Sequence, residues 1–199
     1  MYAVNRRDFM KTIAKNINDT KEINKSKFIN YLVKVDTIDD IKKELDIFKN
    51  KYKDATHICY AYILDGIEKA SDDGEPSGTA GKPILDILKK NDLNHILAIV
   101  VRYFGGIKLG AGGLIRAYAN SINDLVKASE LKELVDGYKV KFSVPYDKIN
   151  NIENMNINII YKEFDLNVIY EAIIKEEDID NIKNISNDFE IIDKIETSF

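Results

Sequence analysis

The spacing of apolar and polar positions predicts the elements of a first module. Alternation predicts β-strands at residues 10–17 and 22–35, joined by a turn at residues 18–21. Thr37 is expected to begin a helix, because Asp40 completes a capping box and apolar residues follow at spacings of three and four. The pattern then predicts a strand, a loop, a short helix, a strand, a glycine-dense stretch and a helix, at residues 57–64, 65–82, 84–88, 96–104, 105–113 and from 114. The predicted order is ββαβαβα.

A second module is predicted to begin near Gly137. Its pattern indicates, in order, a strand, a helix, two strands, a helix and a strand, at residues 138–144, 145–155, 157–161, 166–174, 176–185 and 189–195. The order βαββαβ is typical of a ferredoxin-like domain. The sequence therefore predicts an α+β protein of two domains, residues 1–132 and residues 136–199.

Charge divides the chain in the same way. Residues 1–130 carry 21 basic and 18 acidic side chains, whereas residues 131–199 carry 8 and 15. Neither domain has the general basic excess that by itself indicates a nucleic-acid-binding protein. The two modules are therefore expected to face different partners.

Other features concern the compartment. Arg6 and Arg7 imitate a twin-arginine export motif, but residues 12–19 alternate and lack the apolar stretch that export requires. No apolar run approaches the length that spans a bilayer, and the single cysteine, Cys59, excludes an internal disulfide. A cytoplasmic protein without a membrane partner is predicted.

The first stretch with candidate chemistry combines three acids with small residues and a lysine at a helix start. A helix amino terminus favours an anion, and the weak metal candidates Asp72, Asp73 and Glu75 offer oxygen ligands for Mg²⁺. The alternative, weighted equally, is a solvated turn whose acids cap nearby N–H groups. Pro76 and Pro83 exclude a Walker A loop. The candidate binding residues are Asp72, Asp73, Gly74, Glu75, Ser77, Gly78, Thr79, Gly81 and Lys82.

The second stretch contains five glycines within nine residues. Basic side chains around it could converge on phosphate oxygens, and Tyr103 or Phe104 could stack a base. Alternatively, the glycines permit close packing of strand and helix, with those aromatic rings in the core. Ile115 stands where a dinucleotide-binding fingerprint needs its last glycine. The candidates are Arg102, Tyr103, Gly105, Gly106, Lys108, Gly110, Gly112, Gly113 and Arg116.

A nucleophile and base pair is not predicted. On a strand, His57 and Cys59 point the same way but lie roughly 6.5 Å apart, beyond hydrogen-bond reach. One cysteine and two histidines also provide no zinc set. No catalytic residue is therefore predicted.

Four stretches, residues 25–29, 55–62, 71–85 and 100–118, resemble the IMPACT/YigZ family, and the likeness runs from about Phe9 to the end. The resemblance implies a first domain with the ribosomal protein S5 domain 2-like fold. It also implies a ferredoxin-like second domain similar to domain V of elongation factor G. Both implications agree with the element orders predicted above.

The resemblance also implies a function. We expect a non-enzymatic, translation-linked regulatory protein that binds RNA, ribosomes or a translation-associated protein in a glycine-rich basic cleft. No cofactor is expected, and Mg²⁺ is the one candidate ion. The alternative is an enzyme that carries out phosphoryl transfer or hydrolysis on a small phosphorylated substrate, with Asp72 or Asp73 as general base.

Overall fold

The computed structural model describes residues 10–198, so Arg6 and Arg7 lie outside the described residues. The chain divides into two compact units, with the boundary between Glu133 and Leu134. The first unit contains β1 (Lys11–Ile13), β2 (Ile17–Ile23), β3 (Ser26–Lys34), α1 (Ile38–Lys51), β4 (His57–Leu64), β5 (Ile67–Ser71), α2 (Gly81–Lys90), β6 (Ile96–Tyr103), α3 (Gly110–Ala128) and β7 (Leu131–Glu133). The second contains β8 (Val135–Val144), α4 (Ile149–Glu153), β9 (Asn158–Phe164), β10 (Val168–Lys175), α5 (Ile179–Ile185) and β11 (Asp188–Thr197).

The first unit is built on a five-stranded antiparallel sheet of order β2-β3-β6-β4-β5. The central strand β6 is apolar from Ile96 to Val101, as expected for a strand whose two faces are both covered by helices. Helices α2 and α3 pack on one face and α1 packs on the other. Strands β1 and β7 form a separate antiparallel pair.

Helix α1 shows how far local sequence determines an element. The Thr37 hydroxyl accepts from the Asp40 N–H at 3.1 Å, and the Asp40 carboxylate accepts from the Thr37 N–H at 2.9 Å. This is the predicted capping box. Ile41 and Phe48, at helical spacing, are buried against the sheet.

The predicted turn at residues 18–21 is wrong. These residues lie inside β2, and the hairpin turns at Asn24 and Lys25, which both have positive φ angles of 47° and 63°. Two consecutive residues of this kind form the tight turn that suits the twist of a hairpin. Asp19 is tolerated in the strand because its carboxylate accepts a hydrogen bond from the Asn30 amide at 2.7 Å.

The predicted long loop at residues 65–82 contains a strand, β5. Strand β5 forms an exposed edge of the sheet within it, so the loop proper begins after Ser71. The helix predicted from residue 114 begins earlier, at Gly110, and three of the five clustered glycines therefore lie in its first turn.

The second unit has the predicted order of elements. Its antiparallel sheet has the order β11-β8-β10-β9, and α4 and α5, each preceded by a short 3-10 turn, pack on one face. This is the split βαβ arrangement of a ferredoxin-like fold. The protein is thus an α+β protein. Within residues 10–198, none of the helices has the length and apolar character needed to cross a bilayer.

Candidate functional site

Both loops with candidate chemistry lie at the same end of the first sheet. His57 at the start of β4 pairs with Arg102 near the end of β6, and Tyr103 pairs with Lys27 near the start of β3. Strand β5 ends at this edge too, and α2 and α3 both begin there. We call the surface formed by residues 24–25, 72–82 and 104–116 the loop face.

The Asp72 carboxylate caps α2. Its oxygens accept from the N–H groups of Gly78, Ala80 and Gly81 at 2.8, 3.0 and 2.8 Å. Burial alone would raise the pKa of Asp72, but these three donors hold it below the ordinary value. The anion favoured at the start of α2 is therefore a carboxylate of the protein itself.

Asp73 joins the loop to strand β4. Its carboxylate accepts from the N–H of Ile58 at 2.6 Å, and its carbonyl oxygen lies 2.8 Å from Nδ1 of His57. Asp73 itself has a positive φ of 43°. These contacts fix the path of the loop across the start of the strand.

Glu75 and Arg102 form a buried ion pair beneath the loop. Glu75 is 7% exposed and Arg102 is 4% exposed, and Oε1 of the carboxylate lies 2.5 Å from Nη1 of the guanidinium. The hydroxyl of Tyr118, on α3, donates to the same oxygen at 2.7 Å, and Nη2 of the guanidinium donates to the Ser26 hydroxyl at 3.3 Å. The network joins β3, β6, α3 and the first loop.

The position of Arg102 differs from the prediction that it contacts a phosphate. Its charge is already neutralised by Glu75, and burial keeps the guanidinium from solvent. Breaking such a pair leaves an uncompensated buried charge, so the ion pair has a structural role: it holds the first loop against the sheet. Because Glu75 pairs with Arg102, it does not pair with Lys82, which is exposed at the start of α2.

Cys59 lies beside this network and is fully buried. Its sulfur donates to the carbonyl oxygen of Asp72 at 3.0 Å and lies 3.4 Å from the Tyr118 hydroxyl. Burial, offset in part by the bond to Tyr118, raises the pKa of Cys59 to about 12. A thiol of this kind is a poor nucleophile, which agrees with the rejection of a cysteine–histidine pair.

The three acids of the first loop, which the sequence offered as weak candidates for Mg²⁺, are all engaged with donors of the protein. Asp72, Asp73 and Glu75 all accept hydrogen bonds from the protein, and their oxygens do not all lie within 4.8 Å of one another. Carboxylates engaged with N–H, O–H and guanidinium groups fit the alternative role of ordering the loop.

The second loop leaves its polar groups available. Helix α3 begins without a side-chain cap: its N-cap residue, Leu109, is apolar, and no described side chain accepts from the N–H groups of the first turn. Gly110 and Gly112 are exposed there. The amino terminus of this 19-residue helix is therefore open to an anion.

Two cations accompany this open terminus. Lys108 precedes the helix and is exposed. Arg116 is exposed one turn further along, and its Nη1 lies 3.9 Å from the position that a Cβ would take at Gly112. Its guanidinium thus folds back toward the first turn of α3. Neither cation forms an ion pair with any residue between 10 and 198.

The two adjacent aromatic residues go to different surroundings. Tyr103, on the face of the sheet that carries α1, is half-buried and donates its hydroxyl to Asp54 at 2.9 Å. Phe104 lies just beyond the strand and is 45% exposed. Of the two base-stacking candidates, Phe104 is the one that the structure places on the loop face.

Gly105 allows the second loop to pack against the hairpin. A Cβ at this position would lie 1.9 Å from the carbonyl oxygen of Lys25, which no side chain could tolerate. The N–H of Gly105 also donates to the Ser26 hydroxyl at 3.2 Å. Gly105 therefore permits a close approach, but between the second loop and the hairpin, whereas the sequence suggested close packing of strand and helix.

Comparisons with known proteins place this end of the molecule in a family. Residues 24–126 match the model of the Impact N-terminal domain. The chain belongs to the IMPACT family. IMPACT family member YvyE of Bacillus subtilis is 41% identical over 163 residues, which are 78% of this chain and 75% of YvyE. IMPACT family member YigZ of Escherichia coli is 35% identical over 138 residues, 67% of this chain and 68% of YigZ.

A solved structure described as that of a hypothetical protein is also similar. It has a TM-score of 0.63 and 28% sequence identity, and the match covers 89% of this chain and 90% of the other. The residues that match the Impact N-terminal domain begin at the hairpin turn and end within α3. The entire loop face therefore lies in the part that the family model describes.

Sequence reasoning missed several residues that support the loop face. Ser26 and Thr56 hold the second loop through hydrogen bonds to the N–H groups of Gly105 and Phe104. Tyr118 lies in the helix predicted from residue 114, and its bond to Glu75 spans 43 residues of chain. Nothing in local spacing reveals these pairings, although Ser26 and Tyr118 both lie in stretches that carry the family resemblance.

Proposed function

We propose that this member of the IMPACT family is a non-enzymatic regulator of translation that binds RNA of the translation apparatus through its loop face. The observation that carries the proposal is the open amino terminus of α3 with Lys108 and Arg116 beside it. Backbone N–H groups, a helix dipole and two uncommitted cations together form a surface that is complementary to phosphates. Translation takes place in the cytoplasm, so the proposal implies a cytoplasmic protein.

Binding is favoured over catalysis by the state of the acids. Asp72 and Asp73, the two candidates for a general base, both accept backbone hydrogen bonds. The pKa of Asp72 is lowered, which makes its carboxylate a weaker base. No observation on the loop face therefore favours the enzyme alternative.

RNA is favoured over an acidic protein by the mixture of groups on the loop face. Exposed cations lie together with large exposed apolar side chains, Phe104, Ile107 and Ile115. Phosphates match the cations, and the flat faces of bases match the apolar groups. The strongly acidic second unit would repel RNA, so contact is expected through the first unit.

Sedimentation of the tagged protein in native lysate tests the proposal. The test variant carries Lys108→Glu and Arg116→Glu. The matched control carries Lys43→Glu and Lys90→Glu, which change the net charge equally on exposed residues of α1 and α2. We expect the wild type and the control to travel with ribosomal particles at low salt, and the loop-face variant to stay at the top of the gradient.

Binding to purified ribosomal RNA separates RNA from protein partners. The loop-face variant should bind more weakly, and the slope of log affinity against log salt should fall by about two. Equal affinity of wild type and variant would overturn the assignment of the loop face. Binding to ribosomes without binding to the purified RNA would indicate a translation factor or ribosomal protein instead.

A further inference from the structure

We infer that the loop face takes single-stranded RNA, with the ring of Phe104 as the platform on which an unpaired base stacks. The inference rests on the proposed function and adds the class of RNA and the group that recognises it. It starts from the exposure of Phe104, which is 45% exposed although the strand that precedes it is buried from Ile96 to Arg102.

The ring of Phe104 is in contact with the guanidinium of a buried arginine. The guanidinium of Arg102 lies over it, with Cζ 5.5 Å from the ring centroid, and the same guanidinium lies 5.4 Å from the centroid of the buried Phe28 ring. Cation and rings at this distance attract one another. Phe28, Arg102 and Phe104 therefore form an aromatic–guanidinium–aromatic series that runs from the core to the surface.

The guanidinium at the centre of this series is fixed by the buried ion pair. Glu75 holds one guanidinium nitrogen of Arg102 at 2.5 Å, and Ser26 holds another at 3.3 Å. The backbone of Phe104 is fixed as well, because its N–H donates to the Thr56 hydroxyl at 3.0 Å. A ring positioned in this way loses little conformational entropy when a ligand stacks on it.

Stacking requires an unpaired base. In a duplex the faces of the bases are covered by their neighbours, and proteins recognise duplex RNA mainly through phosphates and 2′-hydroxyls. Phe104 has no donor or acceptor for either group. Ile107 and Ile115, which are 43% and 42% exposed, likewise offer contacts to base and sugar faces rather than to a phosphate. Lys108 and Arg116 would hold the backbone of the same strand.

The sequence offers a direct readout, because it contains no tryptophan. Phe104→Trp puts one fluorescent ring on the platform, and Ile67→Trp puts the same reporter on exposed β5, at the opposite end of the sheet. We expect single-stranded oligouridine to quench Phe104→Trp, and an RNA duplex of equal length not to do so. Ile67→Trp should respond to neither RNA.

Affinity measurements complete the test. Phe104→Ala should weaken binding of oligouridine roughly 5- to 150-fold, the range expected for one stacked base. Phe104→Leu keeps the apolar contact but lacks the aromatic face, so a similar loss is expected. Thermal unfolding of each variant checks that the fold persists.

The outcomes distinguish the inference from the proposed function. Equal affinity for duplex and single strand, with no loss in Phe104→Ala, would overturn the stacking platform and leave RNA binding by the loop face intact. No binding of either RNA at low salt would overturn both. Preference for the single strand with quenching confined to Phe104→Trp supports both.

Discussion

The loop at residues 72–80 and the loop at residues 104–109 leave the same end of one sheet, and each leads directly into a helix. The first contains three carboxylates, and all of them bind donors within the protein. The second contains no carboxylate, and its helix begins uncapped beside Lys108. The acids of the first loop are therefore held within the fold, whereas the start of α3 and Lys108 have no such partners among the described residues.

This comparison shows why composition is a weak guide to function at a loop. Acidic residues next to glycines suggested chemistry at the first loop, yet the start of α2 is occupied by Asp72. The start of α3 carries no comparable acid, so the dipole of that helix is uncompensated. What distinguishes the two loops is whether their charged groups have partners in the fold.

The largest expected effect is on the buried ion pair under the first loop. Glu75→Gln leaves Arg102 buried without a counter-charge, so the free energy of unfolding should fall by about 3 kcal/mol. Glu68→Gln is the matched control, because its bond to Lys89 is exposed and should contribute less than about 1 kcal/mol. Urea unfolding measures both variants. Similar small losses of unfolding free energy in the two variants would contradict a structural role for the buried ion pair.

Two glycines of the second loop and its helix should respond in opposite directions. Gly105→Ala forces a Cβ into the carbonyl of Lys25, so we expect a loss of about 2 kcal/mol in the free energy of unfolding. Gly112→Ala lies in a helix with space around it, so a gain of about 0.5–1 kcal/mol is expected. Thermal unfolding compares them. A gain at Gly105 would show that the close approach to the hairpin is not needed.

Asp72 should give the first loop an acid sensitivity that the second loop lacks. Asp72→Asn should lose about 1 kcal/mol at neutral pH, as for removal of a helix cap. Because the pKa of Asp72 lies below its ordinary value of 3.8, the stabilisation is present above that pH and is lost as the pH falls through the lowered pKa. The difference in unfolding free energy between wild type and variant should therefore shrink below about pH 4. A difference that is constant from pH 7 to pH 2 would assign the loss to another cause.

The smallest expected effect compares two lysines at the two helix starts. Lys108→Ala, beside the open start of α3, should lower the salt slope of RNA binding by about one. Lys82→Ala, beside the start that Asp72 already caps, should change it less. Neither variant should shift the free energy of unfolding by more than about 0.5 kcal/mol, because both side chains are exposed. Equal slopes in the two variants would remove the distinction between the loops.

Elements with a strong local signal could be predicted from the sequence. The capping box at Thr37 and Asp40 involves only neighbours, and β4 has the bounds that its apolar residues indicate. The elements of the second unit also follow their pattern, most clearly β10, in which every second residue is buried. The hairpin turn was misplaced, since four polar residues in β2 resemble a turn until Asn30 is known to face Asp19.

The candidate site could be predicted only in part, because its interactions join residues that are far apart in the sequence. The candidate residues lie in two stretches that the fold brings to one end of the sheet, but the surroundings of each side chain depend on distant partners. Arg102 meets Glu75 across 27 residues and Ser26 across 76. A charged side chain has the same sequence signature whether its partner lies in the fold or in a ligand.

By itself, the sequence determined the α+β class, the two modules, most of the helices and strands, and the family resemblance, because these depend on local periodicity and on long unusual stretches. The tertiary structure decided which charged side chains have partners within the fold. It buried Arg102 against Glu75, placed Asp72 at the start of α2 and left Lys108, Arg116 and Phe104 outside. Burial and pairing are properties of surroundings brought together by folding, and they separate the scaffold from the surface that we propose binds RNA.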